Sequence, residues 1–216
     1  MSEHRSLLPT RLLFPKRCPI CRRLIEEAVL LCPGCARALR PTGAHARQNG
    51  DLFDACYSPF YYREPLRSAF LRYKFEGFRH YAPLFGRWMA DCLNANEVCG
   101  FDLVTWVPLS SLRRMRRGYD QAQLLAAEIS ERLNLPLQRT LKCRYHRPLS
   151  GMRGEQALRS ARMLNTCRVR RGSDVRGRHI LLVDDIITTG ATLNECARML
   201  KTAGAAEVVC VTLARK

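Results

Sequence analysis

A chain of 216 residues, 47% hydrophobic and 25% charged, is long enough to bury its own core and too apolar to be disordered. Its 36 Lys and Arg outnumber 19 Asp and Glu to give +17, and 31 of the 36 are Arg. That field fits nucleic acid, nucleotides or another polyanion, because the guanidinium fork pairs with phosphate oxygens; Arg-rich coding and solubility are the plainer source of the same excess. The 11 Cys, an odd number, argue against a disulfide framework. No apolar run approaches the roughly 18 residues of a membrane span. Pro9 and Arg11 interrupt any signal-peptide core, so a cytoplasmic protein is expected.

In chain order, residues 1–17 read as an extended basic tail and 18–40 as a compact unit built on Cys18-Pro-Ile-Cys21 and Cys32-Pro-Gly-Cys35. Each Cys-x-x-Cys turn offers two thiolates, and two such turns complete a tetrahedron for structural Zn²⁺. A redox pair at Cys18 and Cys21 is the competing reading, but it does not explain the second pair. Protein thiolates fill all four positions, so the zinc is expected to hold structure and do no chemistry. Its loss is expected to unfold 18–40 and leave the larger domain folded. Only His45 and Cys56 follow before the first aromatic strand, so one zinc is assigned. Residues 41–50 (PTGAHARQNG) have the composition of a linker.

Residues 51–216 form the second domain. Residues 51–62 read as strand and turn, 65–75 and 80–94 as helices, and 101–109 as a short strand ending near Pro108. Ala122, Leu125, Ala126, Ile129 and Leu133 share one face of a helix over 119–133. Residues 139–178 hold 12 basic residues against Glu155 and Asp174, and a mobile loop is expected in their first half. Strands over 179–183 and 207–214 flank a helix over 192–203, stopped by Gly204. Alternating strands and helices imply an α/β fold, a mainly parallel sheet flanked by helices, with a small N-terminal zinc-ribbon-like unit.

The segment ILLVDDIITTGAT (180–192) is the most informative. Ligands of open parallel sheets bind at the carboxyl ends of strands, where Asp184 and Asp185 stand. Carboxylates there suit the two hydroxyls of a ribose, or Mg²⁺ through water. Thr188, Thr189, Gly190, Ala191 and Thr192 can turn N–H groups and hydroxyls towards a phosphate at a helix N-terminus. Thr192 and Glu195 fit a capping box. No Walker loop is present.

This segment resembles the phosphoribosyl-diphosphate (PRPP) fingerprint of type I phosphoribosyltransferases. The resemblance implies that Asp184 and Asp185 contact ribose hydroxyls and that Thr188 to Thr192 hold the 5′-phosphate, with Mg²⁺ on the diphosphate. WVPLSSLRRMRRGYDQAQLLA (106–126), LRYKFEG (71–77) and Gln156, Arg162 and Asn165 resemble segments of the ComF/GntX family, with Tyr119 and Asp120 in place of the usual Phe and Asn. With the double Cys-x-x-Cys, the resemblance runs from about residue 18 to 216. Arg116, Arg117 and Gly118 are candidates for the diphosphate loop, or a solvated basic turn. Arg153 to Arg162 are candidates for a flap. Lys74 either reaches the diphosphate or lies on the surface. Glu128 and His146 are available as acid or base, though no catalytic residue is assigned.

The resemblance implies a PRPP- or ribose 5-phosphate-binding protein linked to single-stranded DNA uptake in natural competence, with a competence helicase or other DNA-uptake proteins as partners. The alternative is a phosphoribosyltransferase of nucleotide or related metabolism with an unknown acceptor.

Overall fold

In the computed structural model the described residues are 15–26, 28–143 and 167–216. Most of the basic tail, His146 and the flap candidates Arg153 to Arg162 lie outside them.

The N-terminal unit begins with a small hairpin. An antiparallel bridge joins Arg17 to Leu24, and the Cys18 N–H donates to the Arg23 carbonyl at 2.8 Å. Helix α1 (Pro33–Ala38) opens behind Cys32 with Pro in its first turn, where a missing N–H costs no helical bond. Cys18, Ile20, Cys35 and Leu39 are buried in the same apolar cluster as the helices of the larger domain. The unit is therefore packed into that domain's core, not tethered beside it.

The segment with linker composition is pinned to the sheet. After a 3-10 turn at Gly43–His45, β1 (Arg47–Gln48) pairs antiparallel with β2 (Ala55–Tyr57), and Thr42 Oγ1 donates to the Ser58 carbonyl at 2.6 Å.

Next come β3 (Phe60–Tyr61), α2 (Leu66–Phe75), α3 (Ala82–Ala95), β4 (Leu103–Trp106), α4 (Ser111–Arg117) and α5 (Gln121–Leu133). Strand β5 (Leu141–Cys143) pairs antiparallel with β6 (Cys167–Val169). The chain ends with β7 (His179–Ile187), α6 (Ala191–Thr202) and β8 (Glu207–Arg215). The main sheet runs β1-β2-β8-β7-β4, with β3 also on β8, and every pairing but β1 with β2 is parallel.

Strand alternation splits the core in two. Leu181 and Val183 of β7 with Val209, Val211 and Leu213 of β8 join Leu66, Phe70, Tyr73, Phe85, Met89, Leu125 and Ile129 of α2, α3 and α5. Ile180, Leu182, Val208 and Cys210 face Leu193, Cys196, Ala197 and Leu200 of α6. Each such side chain stabilises the fold by about 1.5–3 kcal/mol.

Two local expectations differ from what forms. The basic stretch after Pro108 becomes helix α4, closed by Gly118 at φ 75°. The capping box does not form: α6 starts behind Gly190, Thr192 lies inside the first turn, and Glu195 pairs with Arg198 at 2.9 Å. Left-handed Gly190 starts the helix before Thr192 can cap it. Cys167 is disulfide-bonded; nine other described cysteines are free thiols. No helix among the described residues is long and apolar enough to cross a membrane.

Candidate functional site

The site follows from unequal strand lengths. Pairing of β4 with β7 stops at Trp106 and Val183, whereas β8 stays paired with β7 to Ile187 and Arg215. Asp184 and Asp185 thus stand beyond the last residue of β7 that pairs with β4. They are consecutive in a strand, so their side chains leave opposite faces of the sheet.

Asp185 is 6% exposed and points into the α2/α5 layer. Its Oδ2 accepts from Lys74 Nζ at 2.8 Å and Gln121 Nε2 at 3.0 Å, and its Oδ1 accepts from the Ile186 N–H at 2.7 Å. Lys74 comes from the last turn of α2, Gln121 from the first turn of α5. Tyr73 Oη donates to the Gln121 carbonyl at 2.7 Å, and Tyr119 Oη donates to the Tyr73 carbonyl. Asp184 Oδ1 accepts the Asp185 N–H at 2.8 Å. Burial, and then the neighbouring Asp185 charge, push the Asp184 carboxyl well above the ordinary carboxylate range.

Thr188 and Thr189 are exposed, and Gly190 has φ 74° and ψ −3°. That conformation lets strand β7 turn into the N-terminus of α6 within three residues. Thr189 Oγ1 accepts the Ala191 N–H at 3.4 Å. With Ala191 and Thr192 in the first turn, the loop and helix end can present N–H groups to an anion.

Across the site, buried Asp120 caps α5. Its Oδ1 accepts from the Gln123 N–H at 3.3 Å and its Oδ2 from the Leu109 N–H at 3.0 Å. Burial raises this carboxyl, and those N–H groups oppose the rise. Among the described residues, the buried Ser110 Oγ and Gln121 Oε1 make no hydrogen bond.

The sequence-predicted residues are thus sorted by the fold. Asp184, Asp185 and Thr188 to Thr192 form one continuous edge. Arg116 and Arg117 occupy the last turn of α4 and Gly118 its cap, with the Arg117 guanidinium 4.9 Å from the Phe75 ring centre. Lys74 turns inward to Asp185. Glu128 lies on α5 against Gly86, its carboxyl raised by burial. Gln121 is the residue that sequence reasoning missed. Its signal was present: a polar side chain at the head of the stripe continued by Leu125 and Ile129.

The metal unit is separate. The Sγ atoms of Cys18, Cys21, Cys32 and Cys35 all lie within 4.8 Å of one another, with Cys21 and Cys32 at 3.6 Å. A tetrahedron with Zn–S near 2.3 Å needs sulfurs about 3.8 Å apart, so the set fits Zn²⁺. Burial raises the Cys18 thiol, but N–H groups of Cys21, Cys32 and Ile20 outweigh it and bring it down to about 7. Cys35 is pushed up, by burial and then by the neighbouring sulfurs. Those N–H groups thus favour the thiolate form of Cys18, and a bound metal's charge would draw off the remaining protons.

Comparison with known proteins agrees with both units. A phosphoribosyl transferase domain family matches residues 120–216 and a double zinc ribbon domain family matches 10–49. Competence protein F of Haemophilus influenzae is 33% identical over 94% of this chain and 98% of its own. DNA utilization protein YhgH of Escherichia coli K12 is 28% identical over 88% and 86%. Among solved structures, glutamine PRPP amidotransferase from B. subtilis is 26% identical over 60% of this chain and only 25% of its own, with a TM-score of 0.42.

Proposed function

The chain belongs to the ComF family of phosphoribosyltransferase-like proteins, and from that membership we propose that it binds PRPP or ribose 5-phosphate with Mg²⁺ at the carboxyl end of β7, in the service of single-stranded DNA uptake. The observation that carries the reading is the order of groups along one edge: two carboxylates beyond the end of β4, then the Thr-Thr-Gly turn, then the N-terminus of α6. That order matches a ribose 5-phosphate, with hydroxyls on the carboxylates and phosphate on the turn. The DNA part is supported by the names of the relatives and by the net charge of +17.

Bound Mg²⁺ would neutralise the diphosphate. The protein's own part is to orient the ribose through Asp184 and Asp185, to hold the phosphate on the turn, and to keep Asp185 in place through Lys74 and Gln121. A transferase reading, with C1–N forming as C1–O to diphosphate breaks, is supported by the match of residues 120–216 to the phosphoribosyl transferase domain family. Isothermal titration with PRPP and Mg²⁺ tests the placement. Asp184→Asn combined with Gly190→Ala should weaken binding at least tenfold, and unchanged affinity would overturn it.

A further inference from the structure

We propose that the ribbon hairpin, the segment after α2 and the end of α4 form one surface for single-stranded nucleic acid, with Phe75 as its base-stacking platform; this rests on the DNA-handling reading above.

Three cation-aromatic pairs join these three pieces of chain. The Arg22 guanidinium of the ribbon lies 5.2 Å from the Phe78 ring centre, that of Arg79 lies 5.2 Å from Tyr119, and that of Arg117 lies 4.9 Å from Phe75. Phe75 is nevertheless 62% exposed. An exposed aromatic ring flanked by cations has the composition of a base-stacking platform. Arg114 and Arg116 are also exposed, and Arg22, Arg79, Arg114 and Arg116 have no carboxylate within ion-pair distance among the described residues. Glu76 is the one acid in residues 72–81.

An exposed ring beside exposed guanidinium groups fits a chain of phosphates and free bases. Bases stack on Phe75, and Arg pairs with phosphate or stacks in turn. Duplex DNA offers no free base face, so the surface discriminates for single strands. The ribbon is held in register with this surface because Arg72, three residues before Phe75, donates to the Pro19 carbonyl at 3.1 Å and to that of Ile20. Lys74 precedes Phe75 and points to Asp185, so one turn of α2 carries both the platform and the Asp185 contact.

The test is fluorescence anisotropy with a labelled oligothymidylate, an abasic oligonucleotide of equal length and the matching duplex. Wild type should bind the base-bearing single strand about tenfold more tightly than the abasic one. Phe75→Ala should remove that preference, and Phe75→Trp should keep it, with zinc content and PRPP binding unchanged in both. If wild type binds the single strand but Phe75→Ala keeps the preference, the platform is overturned and the DNA reading stands. Equal binding of base-bearing and abasic strands, or of the duplex, also overturns it. If wild type binds no oligonucleotide, the DNA reading itself falls.

Discussion

Asp184 and Asp185 are adjacent in the chain yet leave opposite faces of β7, so their removal should have different consequences. Asp184→Asn should weaken PRPP binding and leave thermal stability close to wild type. Asp185→Asn strips Lys74 of its charge partner in a mostly buried setting and should lower stability by roughly 1.5–3 kcal/mol as well. Paired urea denaturation and titration calorimetry separate the two, and equal stability losses would contradict the assignment. At Gly190 a Cβ would meet nothing nearer than 3.7 Å, so Gly190→Ala is opposed by φ 74° alone. It should cost about 1 kcal/mol. Asp54 shows a pH effect. Burial raises its carboxyl, but the Lys201 hydrogen bond at 2.8 Å, then the Val208 N–H, outweigh this and hold it below the ordinary 3.8. The folded state then binds fewer protons than the unfolded one. Its stabilisation is present above the unfolded value and lost as pH falls through the folded one. Asp54→Asn should therefore reduce stability at pH 7 and flatten its decline below about pH 4, measured by denaturation across pH.

Helix α2 is the element on which the two units depend. Within one turn, Arg72 holds the ribbon carbonyls, Lys74 holds Asp185 and Phe75 faces outward. Sequence periodicity made this segment a helix, but the spacing of its apolar residues carried no information on which cation turned which way. Because Cys18, Ile20 and Cys35 share the cluster of Phe70 and Tyr73, zinc removal should cost the larger domain stability too. We expect chelation to lower the melting temperature of residues outside 18–40, read by hydrogen exchange at α2. Arg72→Met should speed zinc loss to a chromogenic chelator. Unchanged protection of α2 in the metal-free protein would show that the ribbon is dispensable to the domain.

At the scale of the whole molecule the excess charge makes a quantitative prediction. If single-stranded DNA is bound through several phosphates, log affinity should fall with log salt by about 0.7 per phosphate neutralised. Arg22→Gln should reduce that slope by about one such step in an anisotropy titration. A slope that stays flat would leave the charge as a matter of solubility.

The strand-carboxylate-turn-helix order of 180–192, the thiolate set and the main helices and strands were legible in the chain, because apolar period, Cys spacing and small-residue turns are local properties. Boundaries moved where local signals competed. Gly190 overrode the capping box at Thr192, and Arg47–Gln48, within a stretch loop-like in composition, became an edge strand once β2 offered unpaired backbone groups. That Gln121 and Lys74 are the partners of Asp185 was not legible. They lie 64 and 111 residues from Asp185, and only the packing of α2 and α5 on the sheet brings them together. Residue order alone sets the chemistry available at each position. Only the packed layers decided that Asp185 meets Lys74 and Gln121 while Asp184 leaves the opposite face, because a strand's side chains alternate between faces.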